Sequence, residues 1–149
     1  MYRSNRLRTG RHSQRGNLYL LTTTTSNRYP VFRDVALGRL VVAEFKAAHM
    51  DGWLNSLAWV VMPDHFHWLI ELGDSSLEQL MRRVKTNSAR GINRQRNSSG
   101  PLWQAGYHDR ALRQEDDLRA VARYVVANPL RARLVNRLGD YPLWDAVWL

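Results

Sequence analysis

The sequence predicts an α+β domain: a ferredoxin-like sandwich, with an antiparallel sheet and helices packed mainly on one face. Three observations carry that expectation. Apolar patterning along the 149 residues switches between periods of 2 and 3.6 in the order β-α-β-β-α-β-α. Two strand-like runs stand back to back across Pro63-Asp64, the mark of a hairpin and so of antiparallel pairing. The composition, 44% hydrophobic and 23% charged, is that of a globular chain whose length suits one buried core.

The elements follow in order. Residues 1–15 carry Arg3, Arg6, Arg8, Arg11 and Arg15 with no acid among them, and read as a basic arm. Residues 18–25, LYLLTTTT, are β-branched and aromatic and end at Ser26, Asn27 and Pro30, so they form a strand and its exit. Residues 34–49 place Val35, Leu37, Leu40, Val41, Phe45 and Ala48 on a helical stripe that Asp51-Gly52 closes. The hairpin strands are 57–62 and 65–72. Ser76 and Gln79 make a capping box for a helix over 76–94, with Leu77, Leu80, Met81 and Val84 on its buried face. Its remaining surface carries Arg82, Arg83, Lys85 and Arg90. After the NSSGP loop, 102–112 reads as a short strand or irregular strand pair. A helix over 115–127 opens on acids, which its macrodipole favours. Pro129 interrupts it and LRARLV continues as a short helical piece. The aromatic tail 141–149 packs against the body.

No apolar stretch is long enough to cross a bilayer, and the charged amino terminus has no apolar core of a secretory signal behind it. Cysteine is absent, which excludes disulfides and thiolate metal sites. The expected compartment is the cytosol, without membrane partners. The charge points to a polyanion: 22 basic residues against 13 acidic ones give +9, and all the basic residues except Lys46 and Lys85 are arginines. Arginine's planar fork suits phosphate and base edges.

Three constellations bear chemistry. His65 and His67 are two apart on a strand, so they share a face roughly 6–7 Å apart by the strand rise, and two imidazoles so placed can converge on one cation. A solvent-facing pair would look the same. Tyr124 and Asn128 are four apart on the late helix and so lie on one face; Leu118, Val121 and Val125 supply its buried stripe and leave Tyr124 at the edge. A tyrosine hydroxyl is a covalent nucleophile once its phenolate is stabilised, and an asparagine carbonyl suits a third metal ligand. The same residues also fit a core tyrosine and an Asn-Pro helix stop. Finally, LWQAGYHDR sets aromatics beside arginine, as single-strand grooves do. Trp103 is expected in the core. Tyr107 is open to both readings and counts with Arg110 among the nucleic-acid contacts.

Taken together, VMPDHFHWLIEL, LWQAGYHDRALR and ARYVVANPLRARLV resemble the REP-associated tyrosine transposases, relatives of the HUH single-strand transposases of IS200-like insertion sequences. The resemblance runs from Tyr19 to the DYPLWDA tail. It implies one HUH-type domain over 1–149, with His65 and His67 as metal ligands, Tyr124 as nucleophile and Asn128 completing the metal site. Insertion-sequence members typically carry glutamine there; asparagine has a shorter reach. The implied cofactor is Mg²⁺ or Mn²⁺. The implied reaction is cleavage and rejoining of single-stranded DNA through a 5′-phosphotyrosine, on REP palindromes folded as hairpins, in the bacterial nucleoid. The basic arm, Arg82, Arg83, Lys85, Arg90 and Arg110 would grip hairpin and flank. The protein would act as a monomer or homodimer. The rival readings are a non-catalytic hairpin DNA- or RNA-binding module, and a hydrolase that uses the histidines to activate water.

Overall fold

The computed structural model describes residues 14–113 and 117–147. Arg3, Arg6, Arg8 and Arg11 of the basic arm therefore lie outside the described residues, as do Glu115, Asp116 and the last two residues of the tail. Asp117, the third acid at the start of the expected 115–127 helix, caps that helix by accepting from Ala120 N at 3.1 Å.

The chain runs β1 (Leu18–Thr24), α1 (Val35–Met50), β2 (Leu54–Met62), β3 (His65–Leu72), α2 (Leu77–Arg96), β4 (His108–Ala111), α3 (Leu118–Val126), α4 (Asn128–Arg131) and β5 (Trp144–Ala146). The five strands form one sheet in the order β4-β1-β3-β2-β5, and every neighbouring pair is antiparallel. The first four strands have ferredoxin-like order; β5 extends the sheet by pairing Trp144 with Val60 and Ala146 with Ala58.

The sheet's two faces are clothed differently. On one, Tyr19 and Leu21 of β1 and Phe66, Trp68 and Ile70 of β3 pack against Val41 and Phe45 of α1 and Leu80 and Val84 of α2. Phe45 stacks on Trp68 at 4.1 Å and meets Phe66 edge-on at 4.9 Å. Both long helices lie here, as expected. On the other face, Ala58, Val60, Met62 and Leu69 pack against Ala122, Val125 and Val126 of the short α3.

Local rules account for the boundaries. Asp34 caps α1 by accepting from Ala36 N at 3.0 Å, and Ser76 and Gln79 form both bonds of the capping box on α2. Strand β2 starts earlier than its alternation suggests because of an irregularity between Ser56 and Ala58. The extra residue inverts side-chain parity, so Leu54 joins the same core as Val61. Only 108–111 of the 102–112 run is a strand; Trp103 makes an isolated bridge to Thr25, and its indole donates to buried Ser88 Oγ at 3.0 Å. No helix among the described residues is long and apolar enough to cross a membrane.

Candidate active site

Strand alternation decides where the histidines point. Phe66 and Trp68 enter the two-helix core, so His65 and His67 face the α3 side, together with Leu69. Their rings stand 4.9 Å apart between centroids at 78°. Both are fixed by bonds at Nδ1. His65 Nδ1 lies 2.7 Å from Asp64 Oδ1, and His67 Nδ1 lies 2.7 Å from Thr22 Oγ1, across from it in the ladder. With Nδ1 engaged on each ring, Nε2 is the nitrogen left to a cation, the arrangement metal-ligating histidines use.

Electrostatics favour a neutral, ligand-ready His67. Burial, the neighbouring His65 and the charge of Arg131 together push the His67 pKa down to about 4. Burial pushes the Asp64 carboxyl up, but its bond to His65, the His65 charge and Arg28 outweigh that and hold it below its usual value. Arg28 Nε reaches Asp64 Oδ2 at 3.0 Å, so a chain Arg28–Asp64–His65 orients the first ring.

Helix α3 lies across the same sheet face. Val125 is buried, Leu118 and Val121 are half-buried, and Tyr124 stands outside that stripe with 61% of its surface exposed. Asn128, one turn on, donates from Nδ2 to Val125 O at 2.8 Å, which leaves its carbonyl oxygen as the atom suited to a cation. Among the described residues no three His, Asp or Glu side chains gather as a metal-holding group. The available donor set is thus two imidazoles and an amide oxygen. Donors of these types suit a divalent ion.

Arg131 ties these pieces together, and sequence reasoning did not single it out. Its guanidinium carbon lies 3.8 Å from the Tyr124 ring centroid, and Nη2 donates to Tyr124 O at 2.7 Å. Its charge also reaches His67. The seven-residue spacing, two helical turns, was a usable signal. The roles of Thr22 and Arg28 required the strand register and had none.

The expected nucleic-acid contacts divide. Arg82, Arg90 and Arg110 are exposed. Arg15 pairs with Asp74. Arg83 bonds Asp51 at 2.6 Å and covers the Trp53 ring. Lys85 turns into the fold: Nζ donates at 2.7 Å to both Gln104 O and Gly106 O, and burial lowers its pKa. Tyr107 is only 5% exposed and belongs to the two-helix core, so its ring offers no stacking face. The short chain from Gly106 to β4 carries it inward, which its neighbouring arginine had disguised.

Comparison with known proteins agrees with this architecture. The family model described as "Transposase IS200 like" matches residues 15–128. A REP-associated tyrosine transposase of Escherichia coli K12 is 28% identical over 87 residues, 57% of this chain and 50% of that protein. The alignment thus spans half the length of that relative. A putative REP-associated tyrosine transposase of Haemophilus influenzae is 23% identical over 143 residues, 86% of this chain and 78% of the other. Among solved structures, a REP-associated tyrosine transposase bound to a REP hairpin superposes with a TM-score of 0.77 at 21% identity, covering 97% of this chain and 82% of that one. A putative transposase from Deinococcus radiodurans gives 0.54 at 22% identity, covering 80% and 95%.

Proposed function

This chain belongs to the IS200-like transposase family, and from that membership we propose that it is a metal-dependent endonuclease and strand transferase for single-stranded DNA, working through Tyr124. The observation that supports this reading most is the shared sheet face: the imidazole pair and the helix bearing an exposed tyrosine lie on one side, with Arg131 between them.

His65, His67 and the Asn128 carbonyl would hold Mg²⁺ or Mn²⁺. The ion would polarise the scissile phosphate and offset its developing charge. Tyr124 Oη attacks phosphorus in line; the P–O3′ bond breaks as the P–Oη bond forms. The phenolic proton passes to solvent and the departing 3′ oxygen takes one up, so the strand end leaves as a 3′-hydroxyl. Neither water nor nucleotide is consumed, and the 5′-phosphotyrosine retains the energy for a 3′-hydroxyl to reverse the attack and rejoin strands. An exposed nucleophile suits a strand drawn across an open surface. A duplex would hold its phosphate away from the sheet face.

The substrate we assign is hairpin DNA of the REP type, by analogy with the hairpin-bound relative. Arg82, Arg90 and Arg110, with the basic arm, supply the phosphate contacts. The whole chain acts as one domain, as a monomer or homodimer, on DNA of the bacterial nucleoid.

The test is a denaturing gel. Purified protein is incubated with labelled single-stranded palindromic DNA and Mn²⁺ or Mg²⁺, with Tyr124→Phe and His65→Ala alongside. A DNA-shifted protein band in the wild type alone supports the reading. Cleavage that survives Tyr124→Phe would replace it with a water-activating hydrolase. Tight binding without cleavage under either metal would leave a hairpin-binding module.

A further inference from the structure

We infer that residues 26–33 and the end of α2 form a docking platform for single-stranded DNA, linked to the imidazole pair through Arg28 and Asp64, with Tyr29 stacking on a base and Arg33 and Arg96 meeting phosphates. The inference rests on the single-strand reading above and adds where the strand lies.

Among the described residues, Tyr29 and Tyr124 are the exposed large aromatic rings; Tyr29 is 60% exposed. An exposed ring offers a π-face that any base can use. Arg96 already sits over it, its guanidinium carbon 5.9 Å from the ring centroid. Tyr29, Arg33 and Arg96, with the apolar Pro30, Val31 and Leu37, border a groove of about 390 Å³. Arg33 and Arg96 are both exposed. One acid, Asp34, also borders the groove, where it caps α1 by accepting from Ala36 N; the two guanidiniums outnumber its single carboxylate. The groove is therefore net cationic with an aromatic and apolar lining, complementary to a single strand's phosphates and bases.

The chain does not reach this shape easily. Asn27 and Arg28 are successive non-glycine residues in the left-handed region, with φ of 57° and 53°. Such strain persists only where surroundings enforce it. Here buried Thr25 does so: its hydroxyl lies 2.8 Å from Tyr29 O and 3.2 Å from Asp64 O, and Ser26 N donates to Leu102 O at 2.8 Å. The turn aims Arg28 at Asp64, which holds His65, while Tyr29 faces solvent. The platform is thus joined to the candidate metal ligands through two side chains, Arg28 and Asp64.

The test uses the full chain and a fluorescein-labelled single strand, read by anisotropy over a salt series, with a matching duplex control. Tyr29→Ala is expected to weaken single-strand binding by about five- to a hundredfold, while Tyr29→Phe retains it. Arg33→Ala and Arg96→Ala each lower the slope of log affinity against log salt by about 0.7. A scan of single abasic positions should find one that weakens wild type and leaves Tyr29→Ala indifferent. Equal affinity of Tyr29→Ala and wild type, with the same abasic profile, overturns the platform while leaving the Tyr124 reaction standing. A wild type that binds single strands no better than duplex removes both.

Discussion

The Arg131 guanidinium lies over the Tyr124 ring at 3.8 Å while bonding the Tyr124 carbonyl oxygen, so one side chain fixes both the ring and the backbone of the candidate nucleophile. Stacking on the ring and the hydrogen bond together set the direction of an otherwise exposed phenol. Positioning of this kind is worth large factors in rate, because small displacements of a nucleophile break in-line geometry.

Arg131→Ala is accordingly predicted to slow adduct formation at saturating DNA by about ten- to a hundredfold. Arg131→Lys should recover little of this, since an ammonium is a point charge without the planar fork. Single-turnover rates and half-saturation concentrations separate the effect on chemistry from that on binding. Rates in Arg131→Ala equal to wild type would assign the residue no such part.

Asp64→Asn removes the carboxylate that accepts from His65 and releases Arg28. Loss of such an orienting group typically costs metal sites about 10–100-fold in affinity. Calorimetric titration with Mn²⁺ is expected to show a drop of that order with little change in melting temperature. An unchanged affinity would mean that His65 is held by packing alone.

The metal-free protein should lose stability on mild acidification. His67 titrates near 6.5 when unfolded and at about 4 when folded. Between those values the unfolded chain binds a proton that the folded chain does not. The stability present above pH 6.5 therefore declines as the pH falls toward 4. Denaturant midpoints in EDTA should fall over that window in wild type and less steeply in His67→Gln. Parallel curves would contradict the buried, neutral imidazole.

Lys85 and the exposed arginines should separate cleanly. Lys85→Met deletes the bonds to Gln104 and Gly106 and is predicted to cost about 1.5–3 kcal/mol in stability without altering the salt slope of DNA binding. Arg82→Ala, Arg90→Ala and Arg110→Ala should do the opposite, each reducing that slope by about 0.7–0.9. A reduced slope in Lys85→Met would return the lysine to the DNA surface.

Much of this fold was legible because its signals are local. The hairpin turn at Pro63-Asp64, the capping box at Ser76 and the stripe of α1 are short-range statements that packing had no reason to override. The alternation of His65, Phe66, His67 and Trp68 even assigned the faces. What escaped was long-range. The addition of β5 to the β2 edge, the irregularity at Ser56 and the Thr22–His67 bond depend on register between distant strands. Tyr107 and Tyr29 were indistinguishable by type, since each is an aromatic near arginines; only the fold turns one inward and leaves the other outside.

The most direct measurement of the central claim is peptide mapping of the covalent product. Protein is reacted with a short single-stranded palindrome and Mn²⁺, digested with nuclease and protease, and weighed by mass spectrometry. A nucleotide mass on the peptide containing Tyr124, absent from Tyr124→Phe and from EDTA controls, is the predicted result. Cleaved DNA with every tyrosine peptide unmodified, or an adduct on another tyrosine, would contradict it.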